Sequence, residues 1–565
     1  MEKTFFRKHN PTVTVIFLTM LAPTILMNLT TALASFADTV IIGFFLDDKS
    51  LSVVTYATPI YMIINTFAAL FAVGGSIAMS VDSGRGDKSA SCKSFSLSVE
   101  LLLLIGMALC FAGVFFSDAV TVWLGAERDV FNAVKEYSTI IMIGAPVFML
   151  NVGLAFFVRN DGRPVLSMVG MFLSIIMNII FDIVFIGPLK LGVAGAAYAT
   201  VLGQLVSVIV ISTHFLSGKN TLAFRFNLGA NVLRIIKNGS STALHFVYQF
   251  LTILILNHFV SKMAGTNGVV VYTVVFNLYT VSLAMFEGIS QTIQPMVSTY
   301  YGEKSFVKIK DTLRLSFIAI IIICGAITVA LEVFPEIVPL IFGILDPKLL
   351  SSAASAVRIF SLSMIIMTLN VVVGYYLQST EKSIMSGILV SLRCFVVFLI
   401  CVFILGKLFG LNGIWAAYFA AEIVTFLIYI FMTAIVRLKL LKKGIKTDFF
   451  LLDTNVAKSI TSYIFECHRT DYVDFKKVVL HAVAEMFGDD SAEKNDTCAY
   501  LSELWKCNNK ARRKYIELEL VGTEKKIIIY DNLNHSSSEN IPECIIHGST
   551  TDYGPVLGWN RITIE

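Results

Sequence analysis

Twelve apolar runs, each long enough for the roughly 20 helical residues that cross a bilayer, set the pattern of this chain. They lie near residues 13–46, 51–81, 94–117, 133–158, 165–187, 192–216, 239–262, 269–300, 312–343, 355–378, 384–406 and 411–436. The polar connections alternate in sign. Those before the first run (Lys3, Arg7, Lys8), between the sixth and seventh (Lys219, Arg225, Arg234, Lys237), between the eighth and ninth (Lys304, Lys308, Lys310, Arg314) and after the twelfth (Arg437, Lys439, Lys442, Lys443, Lys446) are basic. The alternate loops, on the opposite side, run acidic or neutral: Asp47 and Asp48, Asp118 with Glu127 and Asp129, and Glu332 with Glu336. Basic loops stay on the cytoplasmic side, so both termini are expected there. An even number of spans agrees.

The runs also repeat. Gly192-Val-Ala-Gly-Ala-Ala-Tyr-Ala lines up with Gly410-Leu-Asn-Gly-Ile-Trp-Ala-Ala, and Gly84-Arg-Gly-Asp-Lys-Ser89 with Tyr300-Tyr-Gly-Glu-Lys-Ser305. The turn Arg159-Asn-Asp-Gly-Arg-Pro164 likewise matches Gln378-Ser-Thr-Glu-Lys-Ser383. Six helices return a chain to its starting side. The halves are therefore parallel repeats about an axis along the membrane normal, with a site between them. The expected fold is an all-α polytopic membrane protein of two six-helix lobes, residues 1–218 and 219–446. After Lys446 the composition turns soluble, and 447–565 are expected to form a small cytoplasmic α/β or α+β domain. In it, Phe475, Val478, Val479, Ala482, Val483, Met486 and Phe487 keep helical spacing, and Tyr515–Val521 followed by Gly522-Thr523 and Ile527–Tyr530 reads as a hairpin.

Composition narrows the class. With 56% hydrophobic residues and 15% charged, the chain is far too apolar for a soluble protein of 565 residues. The basic start is followed by a run too long for a signal peptide, so no cleavable leader is expected. Nine cysteines include no CxxC pair and none in a loop placed outside, which argues against a structural disulfide or zinc site.

Polar residues inside apolar runs are the candidates for chemistry, because a charge at mid-membrane costs about 3 kcal/mol on insertion scales. Asp38 lies in the first run, fifteen positions after Pro23, which leaves the two about 60° apart around one helix. Asn178 and Asp182 are four apart and share a helix face, with Tyr137 and Thr200 as partners on neighbouring helices. Two carboxylates meeting in one apolar cavity repel each other and lose hydration. The pair is suited to taking up a proton, or a sodium ion at Asp38, Asp182 and Asn178; a static hydrogen-bonded lock is the alternative. The second half offers Gln249, Asn257, Glu287, Gln291, Gln294, Arg393 and Glu422. Arg393 can neutralise Glu287 or Glu422 there, a pairing as compatible with structure as with function. Pro23, Pro146 and Pro295 are expected sites of bending.

Taken together, Pro23 before Ala37-Asp38-Thr39, the AsnXXXAsp of Asn178 and Asp182, the Gly195-Ala-Ala repeat and Gln294-Pro295 resemble the multidrug and toxic compound extrusion (MATE) family over roughly residues 12–440. Arg393 and Gly413-Ile-Trp415 resemble its bacterial MepA-type and DNA-damage-inducible branch. The resemblance implies export of amphipathic, often cationic compounds against inflow of H⁺ or Na⁺. It implies an ion-coupling role for Asp38, Asp182, Asn178, Tyr137 and Thr200, and a helix bend at Pro23. Gln249 stands where some members carry a glutamate of a second cation site, which leaves Gln249, Glu287, Gln291, Gln294 and Arg393 as secondary candidates.

Residues 475–565 faintly resemble the ATP-binding fold of anti-sigma factors (Glu485, Asp531-Asn532, Gly558). The helix position for the magnesium-holding asparagine is Asp489, and Leu533 replaces a glycine, so ATP binding is not expected. A role in docking or binding a cytoplasmic regulator is. The chain is expected to be a monomeric, multi-pass plasma-membrane antiporter, neither an enzyme nor cofactor-dependent, with no nucleic-acid partner. Its rivals are a lipid flippase and a membrane-anchored sensor with a cytoplasmic output domain.

Overall fold

The computed structural model describes residues 11–46, 48–218, 220–225 and 231–453, together with strand residues 460–466, 515–521, 526–531, 552–557 and 559–564; some helical side chains, that of Asp38 among them, lie outside the description. The first half folds as α1 (Pro11–Phe45), α2 (Asp48–Gly84), α3 (Lys88–Phe115), the short α4 (Ser117–Trp123), α5 (Phe131–Ile143), α6 (Ala145–Asn160), α7 (Pro164–Ile186) and α8 (Gly192–Ser212). The second half folds as α9 (Val232–Gly302), α10 (Phe306–Val333), α11 (Ile337–Ile341), α12 (Pro347–Ser361), α13 (Met364–Ser379), α14 (Ser383–Ser391), α15 (Val397–Phe409) and α16 (Leu411–Lys442). Gly265, at φ 57° and ψ −153°, breaks α9 into two spans. Among the described residues, ten helices are long and apolar enough to cross a membrane, and twelve if α5 with α6 and α12 with α13 each count as one bent span.

The bends have local causes. Between α5 and α6 the chain turns by 45° at Gly144-Ala145, and Pro146 follows at the start of α6, where its missing N–H costs nothing. Gly106 of α3 faces that corner; a Cβ there would sit 2.7 Å from Pro146 Cα. The equivalent bend of 44° between α12 and α13 has no proline and falls at Leu362-Ser363. Pro23 and Pro295 lie inside unbroken helix. One expected run is corrected. Residues 312–343 do not form a single helix: Pro335 disfavours helical backbone at Phe334 (φ −124°), so α10 ends at Val333 and α11 starts afresh.

Left-handed residues recur 218 or 219 positions apart: Gly86 and Lys304, Gly125 and Gly343, Gly162 and Glu381, Gly192 and Gly410. Each pair marks the same turn in the two halves, which supports the repeat more strongly than the sequence matches do. It also corrects one of them. α2 and α9 end equivalently at Gly84 and Gly302, so the 84–89 turn pairs with 302–307 rather than 300–305.

Each lobe has its own apolar core. One is built from Val53, Ile60, Val134, Ile141, Met149 and their neighbours, and the other from Leu256, Val275, Phe360, Trp415 and theirs. The start of α1 departs from this division: Val13, Ile16, Phe17 and Met20 are buried in the second lobe's core.

Beyond α16 come β1 (Ile460–Glu466), β2 (Tyr515–Val521), β3 (Lys526–Asp531), β4 (Asp552–Val556) and β5 (Trp559–Ile564), one antiparallel sheet in the order β1-β2-β3-β5-β4. The expected hairpin is present, with Leu518 opposite Ile529. The expected helix over 475–487, and Glu485, Asp489, Asn532, Leu533 and Gly558, lie outside the described residues.

Candidate functional site

In the first lobe α7 and α8 approach closely because position 203 is glycine; a Cβ there would lie 2.7 Å from Ser174 O and 3.0 Å from Asn178 Cβ. This contact places Thr200 beside Asn178, whose Nδ2 donates to Thr200 Oγ1 at 3.5 Å. Thr200 Oγ1 donates in turn to Ala196 O at 2.9 Å. Asp182, one turn along the same face, is 1% exposed. Tyr137 is buried as well, but its hydroxyl meets Tyr61 OH at 3.1 Å. Asn178 and Thr200 thus come together, and Tyr137 has a partner, Tyr61, that sequence reasoning did not supply. Asp38 lies on α1, which packs against α7.

The second lobe holds a small cavity of about 40 Å³ lined by His245, Gln249, Tyr272, Tyr279, Arg393 and Glu422 among others. Arg393 occupies a π-helical turn, Leu392–Val396, between α14 and α15. Such turns add a residue to the helix and redirect the side chains they carry. Arg393 Nε donates to Glu422 Oε1 at 2.7 Å, and Asn370 Nδ2 donates to Glu422 Oε2 at 2.7 Å, with all three side chains buried. Glu422, not Glu287, is therefore the partner of Arg393. Glu287 lies 4.0 Å from His245 Nε2 and lines an adjoining cavity of about 30 Å³ with Tyr375 and Gln378. His245, four residues before Gln249 on α9, was legible as a polar residue in an apolar run.

Gln291 and Gln294 belong elsewhere, in the seam between the lobes. Asn28 of α1 and Gln291 exchange hydrogen bonds of 3.1 and 3.2 Å through their side-chain amides. Arg159, fully buried, donates to Gln291 Oε1 and Gln294 Oε1, both at 2.9 Å, and lies 4.4 Å over the ring of Phe156. Toward the basic face the seam becomes ionic. Arg234 Nη1 lies 2.9 Å from Asp82 Oδ1 and Oδ2, and Arg234 Nε lies 2.6 Å from Glu381 Oε1. Arg85 is 3.6 Å from both Asp82 and Glu381. Beside Glu381, burial pushes the Lys382 ammonium down to about 8, an effect that Asp448 opposes. Asp82 and Arg159 sit at the very ends of apolar runs, where sequence alone suggests interfacial anchors.

Small residues allow this closure. A Cβ on Gly84 would lie 2.1 Å from Thr299 O, one on Gly302 would lie 2.1 Å from Val81 O, and one on Gly239 would lie 1.8 Å from Leu70 O. The first two contacts are related by the repeat. Backbone cannot yield as a side chain does, so Gly239→Ala is expected to hold the lobes apart at the basic face. Overpacking of about 1–3 kcal/mol would shift the closed population roughly 5- to 150-fold. Alkylation of a cysteine introduced at Ser80 reads this out: labelling should rise in Gly239→Ala, and labelling as slow as in the parent would contradict the role of the glycine contact.

Two parallel six-helix repeats, each with its own core and joined along a polar seam, define a two-lobed membrane transporter. The MatE family model matches residues 23–184 and 241–397, and the chain belongs to that family of multidrug efflux transporters. Multidrug export protein MepA of Staphylococcus haemolyticus is 26% identical over 392 residues, which cover 68% of this chain and 86% of that protein. Among solved structures, the outward-facing conformation of a multidrug resistance MATE family transporter of the MOP superfamily aligns at a TM-score of 0.71 with 22% identity. That alignment covers 77% of this chain and all of the other. A MATE crystal structure in complex with MaL6 aligns at 0.68 with 22% identity, covering 73% and 94%. At such identities the two structures speak for the fold.

Proposed function

We propose that this protein is a secondary active antiporter that exports drugs or amphipathic, often cationic, organic compounds in exchange for H⁺ or Na⁺. The observation that carries the reading is the buried face of α7. Asp182 is almost fully enclosed there, one turn from an Asn178–Thr200 contact, in a span that packs against the helix bearing Asp38. An ionisable carboxylate at such depth is expensive and is typical of an ion pathway. Asp38, Asp182, Asn178, Tyr137 and Thr200 form the coupling site, and Pro23 is where α1 bends during the cycle.

Lobes 1–218 and 219–446 rock about their seam in a multi-pass protein of the plasma membrane, with 447–565 appended in the cytoplasm. The basic connections favour a cytoplasmic side for both termini and for the closed end of the seam. Arg393 already has a carboxylate partner, so the second-lobe cavity presents aromatic walls and a neutral pair rather than a cationic grip for a lipid pyrophosphate.

Efflux of ethidium in proteoliposomes, with pH and sodium gradients imposed separately, tests the assignment. At least one gradient should drive export against concentration. Export with neither would set the antiport reading aside.

A further inference from the structure

The seam must part at its basic face for compounds to enter, and the chain carries a second structure across that face. After α16, residues 445–453 turn back beneath the second lobe. Asp448 accepts from the backbone N–H of Phe450 and Leu452, both at 3.0 Å, and ion-pairs with Lys310 Nζ of α10 at 2.7 Å. Tyr376 OH of α13 donates to Phe450 O at 2.5 Å, while Phe449 packs against Tyr429 of α16. Leu451 and Leu452 are buried. This strap ties the chain to α10, α13 and α16, beside the site where the C-terminal sheet docks.

There β2 lies against α1, and Glu517 of β2 sits 3.5 Å from Lys308 Nζ of α10, with side chains 0% and 1% exposed. Leu557, from the turn between β4 and β5, is buried in one apolar core with Val13 and Phe17 of α1 and with Phe306 and Ile309 of α10. The sheet thus pins the start of α1, a helix that farther along packs against α7 of the first lobe, into the second lobe's core beside α10. The lysine has no counterpart in the repeat: the third residue of α10 is Lys308, and the third residue of its counterpart α3 is Ala90. Lys308 also lies 5.6 Å over the ring of Tyr300, but a charge buried this deeply gains from a carboxylate partner, so the pair contributes to docking of the sheet.

We infer that the C-terminal sheet is an intramolecular clamp: docked across α1 and α10 through Glu517 and Lys308, it holds the cytoplasmic entrance shut, and its release speeds transport. The inference rests on the transporter reading, but it can fail separately. The test uses the full-length chain in proteoliposomes, with ethidium as substrate and a cysteine at Ser80, in the seam, followed by site-resolved alkylation. Lys308→Glu and Glu517→Lys should each raise alkylation at position 80 and ethidium efflux about five- to tenfold, and the double exchange should return both to the parent values. Glu517→Gln, which removes the charge without reversing it, should raise both by a smaller factor. If alkylation rises in the single reversals and falls back in the exchange while no form exports ethidium, the clamp stands and the transporter reading falls. If every variant elutes as folded protein and alkylates like the parent, or if the exchange behaves like the single reversals, the clamp is wrong.

Discussion

Asp182→Asn is expected to abolish energised export and leave the protein folded. The carboxamide keeps the shape of the side chain and can still hydrogen-bond in the buried α7 face, but it cannot gain or lose charge. If Asp182 carries one charge per cycle, a potential of 100 mV supplies about 2.3 kcal/mol, enough for a roughly 50-fold concentration gradient. The variant should let ethidium equilibrate and never accumulate against its gradient. Asp38→Asn should do the same, and the double variant should be no worse than either single one, since both residues serve one ion. Thermal unfolding in detergent should be little changed, because Asn remains compatible with the Asn178–Thr200 contact beside it. Substrate accumulation in loaded vesicles measures the effect.

The second large effect is expected at Arg393 and Glu422. Their pair is buried, with Asn370 completing the carboxylate's hydrogen bonds. Removing one member leaves an uncompensated charge, a loss of about 3–5 kcal/mol in buried pairs of this kind. Glu422→Leu should therefore lower the thermal unfolding midpoint strongly. Arg393→Met combined with Glu422→Leu should recover most of it, since a well-packed apolar pair is often no less stable than the ionic one. Equal losses in the single and double variants would mean that the charges stabilise the lobe beyond relieving each other. Export by the double variant then separates structure from specificity: the cavity lined by Tyr272, Tyr279 and His245 persists without its ionic floor.

The architecture was largely legible in the chain, and for a physical reason. A bilayer forces every span to satisfy its own backbone, so apolar length reports helices directly. The repeat was visible in Gly192 and Gly410, whose left-handed backbone opens the same helix in each half. Where a proline intervenes, as at Pro335, the run of apolar residues overstated the helix. Asn178 and Asp182 could be read from their spacing.

The seam could not be read. Arg159 and Asp82 are polar residues at the ends of runs, and sequence does not distinguish a residue that anchors at the interface from one that reaches across to another lobe. Gln291 and Gln294 were singled out for the second lobe's interior, yet they receive Arg159 from the first. The tie between Lys308 and Glu517 spans more than 200 residues and depends on how two separately folded parts meet, which no local pattern encodes.

An ion crossing through the first-lobe carboxylates is proposed to drive export. The most direct test of this coupling is ion movement evoked by substrate: a pH-sensitive or sodium-sensitive dye inside proteoliposomes, with ethidium added and no gradient imposed. The parent protein should show a counterflow of H⁺ or Na⁺ that disappears in Asp182→Asn. An undiminished counterflow in Asp182→Asn would contradict the coupling.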